Sequence, residues 1–229
     1  MKNILQRAVP LRHGSYYFLL LLLFMAGHAR AQVKPFKYSL AVMPQYLVEK
    51  GLRVEGEMPL TGTFGKFHAL LGLQYNSGEV PYFNDESTTL RRDQLKGFGI
   101  EALLKQYMGG GHWYPNNYYL AFGPAYHNFT VTYFGEQFVP RIQDGLEVLV
   151  AELTDQEMAI SRYTLSFLVG GHYAIGSRFF ADVHLGLAAR YSSVTLPVPN
   201  ARLYDDYMTN YAYSGIMFRG GFKLGILIF

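Results

Sequence analysis

Between residues 178 and 192 the chain separates into two interleaved rows. Phe179, Ala181, Val183, Leu185, Leu187, Ala189 and Tyr191 are apolar or aromatic, whereas Arg178, Phe180, Asp182, His184, Gly186, Ala188, Arg190 and Ser192 include the ionisable groups. Successive side chains of a strand point to opposite faces, so this stretch predicts a strand with one apolar and one polar face. It is longer than the ~5–6 residues of an average soluble strand. Aromatic ends around small apolar residues suit a strand that crosses a bilayer, with lipid outside and a polar lumen inside.

The same alternation recurs along the chain. Residues 37–44 predict a first strand with Tyr38, Leu40 and Val42 on one face. In the second, Leu52, Val54, Gly56 and Met58 alternate with Arg53, Glu55 and Glu57. In the third, Phe67, Ala69, Leu71, Leu73 and Tyr75 oppose Lys66, His68, Leu70, Gly72 and Gln74. Residues 77–93 predict a polar loop rich in turn formers. The fourth strand sets Phe98, Ile100, Ala102 and Leu104 against Gly97, Gly99, Glu101 and Lys105. The fifth runs from Tyr118 to about Val131. The sixth sets Tyr163, Leu165, Phe167, Val169 and Tyr173 against Arg162, Thr164, Ser166, Leu168 and His172, and Gly176-Ser177 turns it into the seventh. The last strand is expected over residues 211–229. Eight strands is the smallest number usual for a membrane barrel. Connections after strands two, four and six are short or rich in Gly and Pro, and those after three, five and seven are long. That asymmetry is the one expected of short periplasmic turns and long external loops.

The N-terminus is a separate object. Lys2, Arg7 and Arg12 form a basic region, residues 16–26 an apolar core, and Ala29-Arg30-Ala31 a small-x-small cleavage site. This is the pattern of a secretory signal peptide, expected to be removed after Ala31. Its apolar run is shorter than the ~20 residues of a spanning helix. Residues 32–229 are then the single mature domain. Cleavage changes the charge: of 20 basic residues the segment takes Lys2, Arg7, Arg12 and Arg30, leaving 16 against 17 acidic ones, a net charge of −1. The apparent basicity therefore argues for no nucleic-acid partner. There is no cysteine, which excludes disulfides, cysteine-ligated metals and lipidation of an N-terminal cysteine.

The signal with Ala29-Arg30-Ala31, the eight two-row strands and the terminal Gly225-Ile226-Leu227-Ile228-Phe229 together resemble the small eight-stranded outer-membrane β-barrels of Gram-negative envelopes, the OmpA/OmpX-like class. The resemblance spans the mature chain and is architectural. It implies an all-β, eight-stranded antiparallel transmembrane barrel, monomeric in outer-membrane lipid. It also implies that Phe229 is a signal read by the barrel-assembly machinery. One detail departs from the class. If Arg219 and Lys223 face inward, with Phe218, Phe222, Leu224, Ile226 and Ile228 outward, parity turns Phe229 inward. A bulge near Gly220-Gly221 or Gly225, or departure of the last residues from the sheet, reconciles the two.

The inward rows predict a lumen network of Arg53, Glu55, Glu57, Glu101, Lys105, His172, Arg178, Asp182, His184, Arg190, Arg219 and Lys223, with His68, His127 and Arg162 on the same rows. An eight-stranded interior is just wide enough for side chains to fill it, and buried charges must be paired. An ion-pair plug is therefore expected; a polar conduit or binding site lined by the same residues is the alternative. Some barrels of this size modify lipid A, and the deacylases among them carry a His-x-Ser arrangement on a lipid-facing strand. Here the one His-x-Ser is His13-Gly14-Ser15, within the signal. No catalytic residue, metal site or cofactor is expected.

The stretch of residues 134–160 is the most unusual. Ile142, Leu146, Leu149, Val150 and Leu153 recur at the spacing of an amphipathic helix, although Gly145 weakens it by ~1 kcal/mol. A short helix or extended hairpin packed over the barrel mouth, or an apolar surface offered to a protein partner, are the two expectations. Tyr211 and Tyr213 are expected in an interfacial belt, and Tyr204 and Tyr207 in that belt or on a recognition surface. The leading expectation is a non-enzymatic envelope protein acting through its external loops. Its rivals are a narrow pore or apolar-ligand conduit, a lipid A-modifying enzyme, and a soluble lipocalin-like barrel with the apolar rows inside.

Overall fold

A computed structural model describes residues 38–48, 50–60, 67–80, 93–108, 116–143, 145–195, 205, 208 and 210–228. Eight strands account for most of them: β1 Tyr38–Val42, β2 Gly51–Pro59, β3 Phe67–Val80, β4 Asp93–Tyr107, β5 Asn116–Gln143, β6 Leu146–Ile175, β7 Phe179–Thr195 and β8 Gly215–Ile228. A four-residue helix, α1 (Gln45–Val48), lies between β1 and β2. Every strand pairs antiparallel with the next, and β1 pairs with β8, so the sheet closes on itself. Closure leaves no sheet edge within the ring. Among the described residues no helix is long and apolar enough to cross a membrane. The expected signal segment and Phe229 lie outside the described residues.

The alternating rows take the faces that their parity predicts. On β7, Val183, Leu185, Leu187 and Tyr191 are exposed on the outside, while Phe180, Asp182, His184 and Ala188 are buried inside. The apolar rows therefore face out, which is the reverse of a lipocalin-like arrangement. β8 keeps one register against β7 from Gly215 to Ile226 and against β1 to Ile228. No bulge interrupts it, so that explanation for the orientation of Phe229 falls away.

Outward aromatics gather at two levels. Towards the end bearing the β5–β6 connection stand Tyr75, Phe98, Tyr126, Tyr163 and Tyr191, placed beside one another by the pairs Tyr75↔Phe98, Tyr126↔Tyr163 and Tyr163↔Tyr191. Towards the end bearing the termini stand Tyr38, Phe67, Tyr118, Tyr173 and Phe179. On β6 the two levels, Tyr163 and Tyr173, are ten residues apart, or roughly 34 Å along the strand.

Beyond Tyr163 the radial pattern inverts. Gln94, Lys96, Thr130, Thr132, Glu157, Ser193 and Thr195 now point outward. Inside, Leu95, Phe129, Val131, Tyr133, Met158 and Ile160 form an apolar core, closed by Tyr211 and Ala212 from the segment before β8. Tyr211 meets the Phe129 ring edge-on at 5.3 Å, so it serves this core and not an outer belt. The expected polar rows thus fill only part of the interior.

The structure corrects the loops as well. β3 reaches Val80 and β4 begins at Asp93, taking strand from the expected 77–93 loop. The last strand begins at Gly215 and not at Tyr211. For residues 134–160 the extended hairpin, and not the helix, is what forms. In place of a helix, β5 and β6 run on as an antiparallel pair in unbroken register from Asn116↔Tyr173 to Gln143↔Leu146. Asp144-Gly145 is the dipeptide favoured at two-residue hairpin turns, and Gly145 has a φ of +81°, at little cost for glycine. β5 pairs with β4 only as far as Thr132, and β6 with β7 only as far as Ala159. The last eleven residues of β5 therefore form, with β6, a ribbon of roughly 35 Å beyond the ring. The expected apolar stripe is split by strand parity. Ile142, Leu149 and Leu153 lie on the outer face, Leu146 and Val150 on the opposite one.

Candidate functional site

The inward charges meet in one connected network. Glu55 and Glu101 flank Gly72 across β2, β3 and β4 through the pairs Glu55↔Gly72 and Gly72↔Glu101. Gly72 leaves the space that the Arg53 guanidinium fills; an added Cβ would stand 3.0 Å from its Nη2. Arg53 donates through Nε at 2.9 Å and Nη2 at 2.6 Å to Glu55 Oε1, and through Nη2 to Glu101. From the far wall, Arg219 clamps Glu101 with both terminal nitrogens, Nη2 at 2.8 Å from Oε2, and its Nη1 also donates to Ser166 Oγ at 2.7 Å.

Lys223 joins this layer to a second one. Its Nζ is 2.6 Å from Glu55 Oε2 and 4.0 Å from Asp182 Oδ1. Asp182 accepts from Lys105 Nζ at 3.1 Å and from the Tyr119 hydroxyl at 2.5 Å, with His184 Nδ1 at 3.6 Å and His172 Nδ1 at 3.7 Å. Lys105 also donates to Glu57 Oε2 at 2.9 Å; Glu57 Oε1 accepts from the Tyr107 hydroxyl at 2.8 Å and faces His68 Nδ1 at 2.8 Å. The ammonium of Lys105 lies 3.9 Å from the centroid of the Tyr119 ring. Four cations (Arg53, Lys105, Arg219, Lys223) thus face four anions (Glu55, Glu57, Glu101, Asp182) through these ion pairs. With the histidines neutral the network balances, the condition for burying so much charge. Lys105, His172 and Asp182 have no exposed surface at all.

Ten of the twelve expected network residues come together. Arg178 does not: it lies in the exposed β6–β7 turn, where its carbonyl accepts from Leu227 N at 2.7 Å. Arg190 points inward but stands apart, its Nη1 on the Asn210 carbonyl at 3.3 Å, because it lies a turn of the ladder nearer the apolar core. Tyr107, Tyr119 and Ser166 were missed. Tyr107 shares the inward parity of Lys105, Tyr119 that of His127 and Ser166 that of Arg162, so the signal was present, but uncharged residues gave no reason to single them out.

Arg162 is a different case. It is buried, its guanidinium lies 4.7 Å from the Phe129 ring centroid, and among the described residues no carboxylate pairs with it. Replacing it by methionine is expected to keep stability within about 1 kcal/mol of the parent, since a lost cation–π contact is set against relief from burying a charge. Arg219→Met, which leaves Glu101 to Arg53 alone and the network one cation short, is expected to cost about 3–5 kcal/mol. Urea unfolding of the two variants in lipid vesicles separates these outcomes.

No described group of His, Asp and Glu is arranged to hold a metal. A groove of about 730 Å³ lies on the outside, where Gly56, Ala69, Ala102 and Gly123 are small between Leu40, Met58, Leu71, Leu104 and Phe122. Gly123 is required there by close approach: an added Cβ would stand 2.1 Å from the Ala102 carbonyl oxygen. The groove is almost wholly apolar, and Leu40, Met58, Leu71 and Phe122 of its lining are exposed on the outward rows, so it belongs to the outer face and not to the lumen. Comparison with known protein families, with curated proteins and with solved structures gives no match.

Proposed function

We propose that this chain is an integral outer-membrane protein of the OmpA/OmpX-like architectural class, a transmembrane barrel whose lumen is closed, and that it acts without catalysis through what its ribbon end presents outside the cell. The observation that carries this reading is the radial inversion. An exposed apolar band lies between two levels of aromatics, with ions inside it; past the upper level the outside of the ring becomes polar and its inside apolar. At a strand tilt of ~45° the ~34 Å between Tyr163 and Tyr173 projects to ~24 Å, the height of the lipid-facing band of such barrels. A soluble protein with that much exposed leucine, valine and phenylalanine would aggregate. The enclosed carboxylates and histidines favour a structural plug over an active site, since a catalytic group must reach its substrate.

The mature chain is expected to fractionate with outer membranes and to migrate differently on a gel before and after boiling. In planar bilayers it is expected to give no discrete conductance steps. Recovery from the periplasm without detergent would overturn the membrane reading, and regular channel steps the closed lumen.

A further inference from the structure

We propose that the interior of the ring holds a binding site for one phosphate-class oxyanion, made by Arg162, Thr164 and His127 at the level between the ion network and the apolar core, with Arg190 beside it. This goes beyond the structural plug. The network closes the barrel on one side, and the site lies on the other, towards the ribbon end.

A guanidinium is the basic group that a protein cannot neutralise by removing its proton. Once buried it must be answered by an anion or cost several kcal/mol. Arg53 and Arg219 are answered by Glu55 and Glu101. The four carboxylates of the network are matched by four cations without Arg162, so Arg162 is a charge in excess. It is 7 % exposed, and among the described residues its Nε has no hydrogen-bond partner. The charged side chains that act on it are the cations Arg190 and Arg219, joined by the phenols of Tyr46 and Tyr211. The Phe129 ring at 4.7 Å gives it a cation–π contact, which is smaller than the cost of burying the charge.

Strand register assembles the rest. Along β6 the inward row passes from Met158 and Ile160 in the apolar core, through Arg162 and Thr164, to Ser166 and His172 in the network. Pairing sets His127 opposite Arg162 and Arg190 opposite Thr164. Arg190 is thus a diagonal neighbour of Arg162, a spacing that long side chains bridge. Thr164 Oγ1 and His127 Nδ1 are, like Arg162 Nε, buried without a partner among the described residues. Three such atoms on adjacent positions of two strands call for a ligand. Thr164 and His127 are 8 % and 5 % exposed, whereas Lys105, His172 and Asp182 are sealed at 0 %. A small ion therefore reaches this level. The row faces inward, so the source is free anion and not a lipid headgroup.

Donor chemistry selects the class. The planar guanidinium fork fits two oxygens of a phosphate, and the threonine hydroxyl donates to a third. His127 discriminates among oxyanions. Gln74 donates to Asn76 Oδ1 at 2.6 Å and turns its Oε1 to His127 Nε2 at 3.2 Å, so Nε2 carries the ring proton. Nδ1 is then a bare acceptor. The Cδ2 edge of the ring lies against Gly99 on β4, 2.2 Å from where a Cβ would stand, which turns the Nδ1 edge towards β6 and Arg162. An acceptor in an anion site asks for an oxyanion with a proton of its own. Hydrogen phosphate has one and sulfate has none.

Sodium phosphate is titrated by calorimetry into purified protein in neutral detergent, with chloride as the only other inorganic anion, beside a titration of sodium sulfate. One phosphate per chain is expected to bind saturably, about tenfold more tightly than sulfate. Arg162→Met is expected to abolish binding, and Thr164→Val, which keeps the shape, to weaken it about tenfold. His127→Phe keeps the ring on Phe129 and is expected to bring phosphate down to the level of sulfate. Arg141→Met, an exposed position on the ribbon, is expected to change nothing. Phosphate is also expected to raise the urea midpoint of the parent in vesicles and not that of Arg162→Met, since a ligand stabilises the state that binds it. Absence of saturable binding to the parent, binding retained by Arg162→Met, or equal affinity of the parent for phosphate and sulfate overturns the proposal. The gel shift on boiling, read on every variant, reports the barrel separately. Should Arg162→Met lose that shift, Thr164→Val decides: unchanged affinity overturns the site.

Discussion

Asp182→Ala is expected to lower the unfolding free energy by about 3–5 kcal/mol, the scale of breaking a buried ion pair from one side. Asp182 is fully enclosed and answers Lys105 at 3.1 Å, Tyr119 at 2.5 Å and Lys223 at 4.0 Å. Without it the network keeps four cations against three anions, and Lys105 retains only Glu57 of its two carboxylates. The remedy is to remove a cation as well. The double variant Lys105→Met/Asp182→Asn restores the balance and is expected to fall short of the summed single losses by about 1 kcal/mol or more, as directly coupled residues do. Urea titration of vesicle-inserted protein measures both. A loss below about 1 kcal/mol for Asp182→Ala would mean that the lumen is solvated and the network is not a sealed plug.

The second large effect belongs to the outer face. Leu185 lies midway between Phe179 and Tyr191 on β7 and is 69 % exposed. Leu185→Arg is expected to destabilise the inserted protein by about 2–4 kcal/mol, whereas Thr195→Arg, beyond the upper aromatics, is expected to cost about 0–1 kcal/mol. The contrast discriminates because water predicts the opposite. An exposed leucine on a soluble ring could be exchanged for arginine with little effect, within about ±0.5 kcal/mol. Equal stabilities for the two variants would therefore remove the apolar band as an argument for a bilayer. The depth dependence also locates the band: outward substitutions along β6 should lose their cost between Tyr163 and Glu157, where the outside turns polar.

These two experiments probe opposite faces of strands that were legible from the start. The period of two is local, so Leu185 and Asp182 could be assigned to opposite faces from their neighbours alone. The partners of Asp182 could not. Lys105 lies 77 residues away, and the Lys223–Glu55 pair spans 168. Which inward charges share a layer depends on the register of every intervening pair and on closure between β1 and β8. Arg178 shows the limit at a strand end: parity placed it inside, but it is the last residue of the turn before β7, and it faces solvent.

The ribbon shows a different limit. Ile142, Leu146, Leu149, Val150 and Leu153 match a helical spacing, but the match straddles a two-residue turn, and short apolar runs do not decide between helix and strand. Long-range pairing with the rest of β5 and β6 settled it. The apolar core of Leu95, Phe129, Val131, Met158 and Ile160 was hidden for a related reason, since those residues keep the inward parity while the polarity of that row changes with height. By itself, then, the sequence determined the strands, their two faces and the abundance of charge inside, because side-chain alternation is a property of neighbouring residues. Only the tertiary structure decided which charges meet and where the interior turns apolar, because those follow from register and closure, which no local stretch contains.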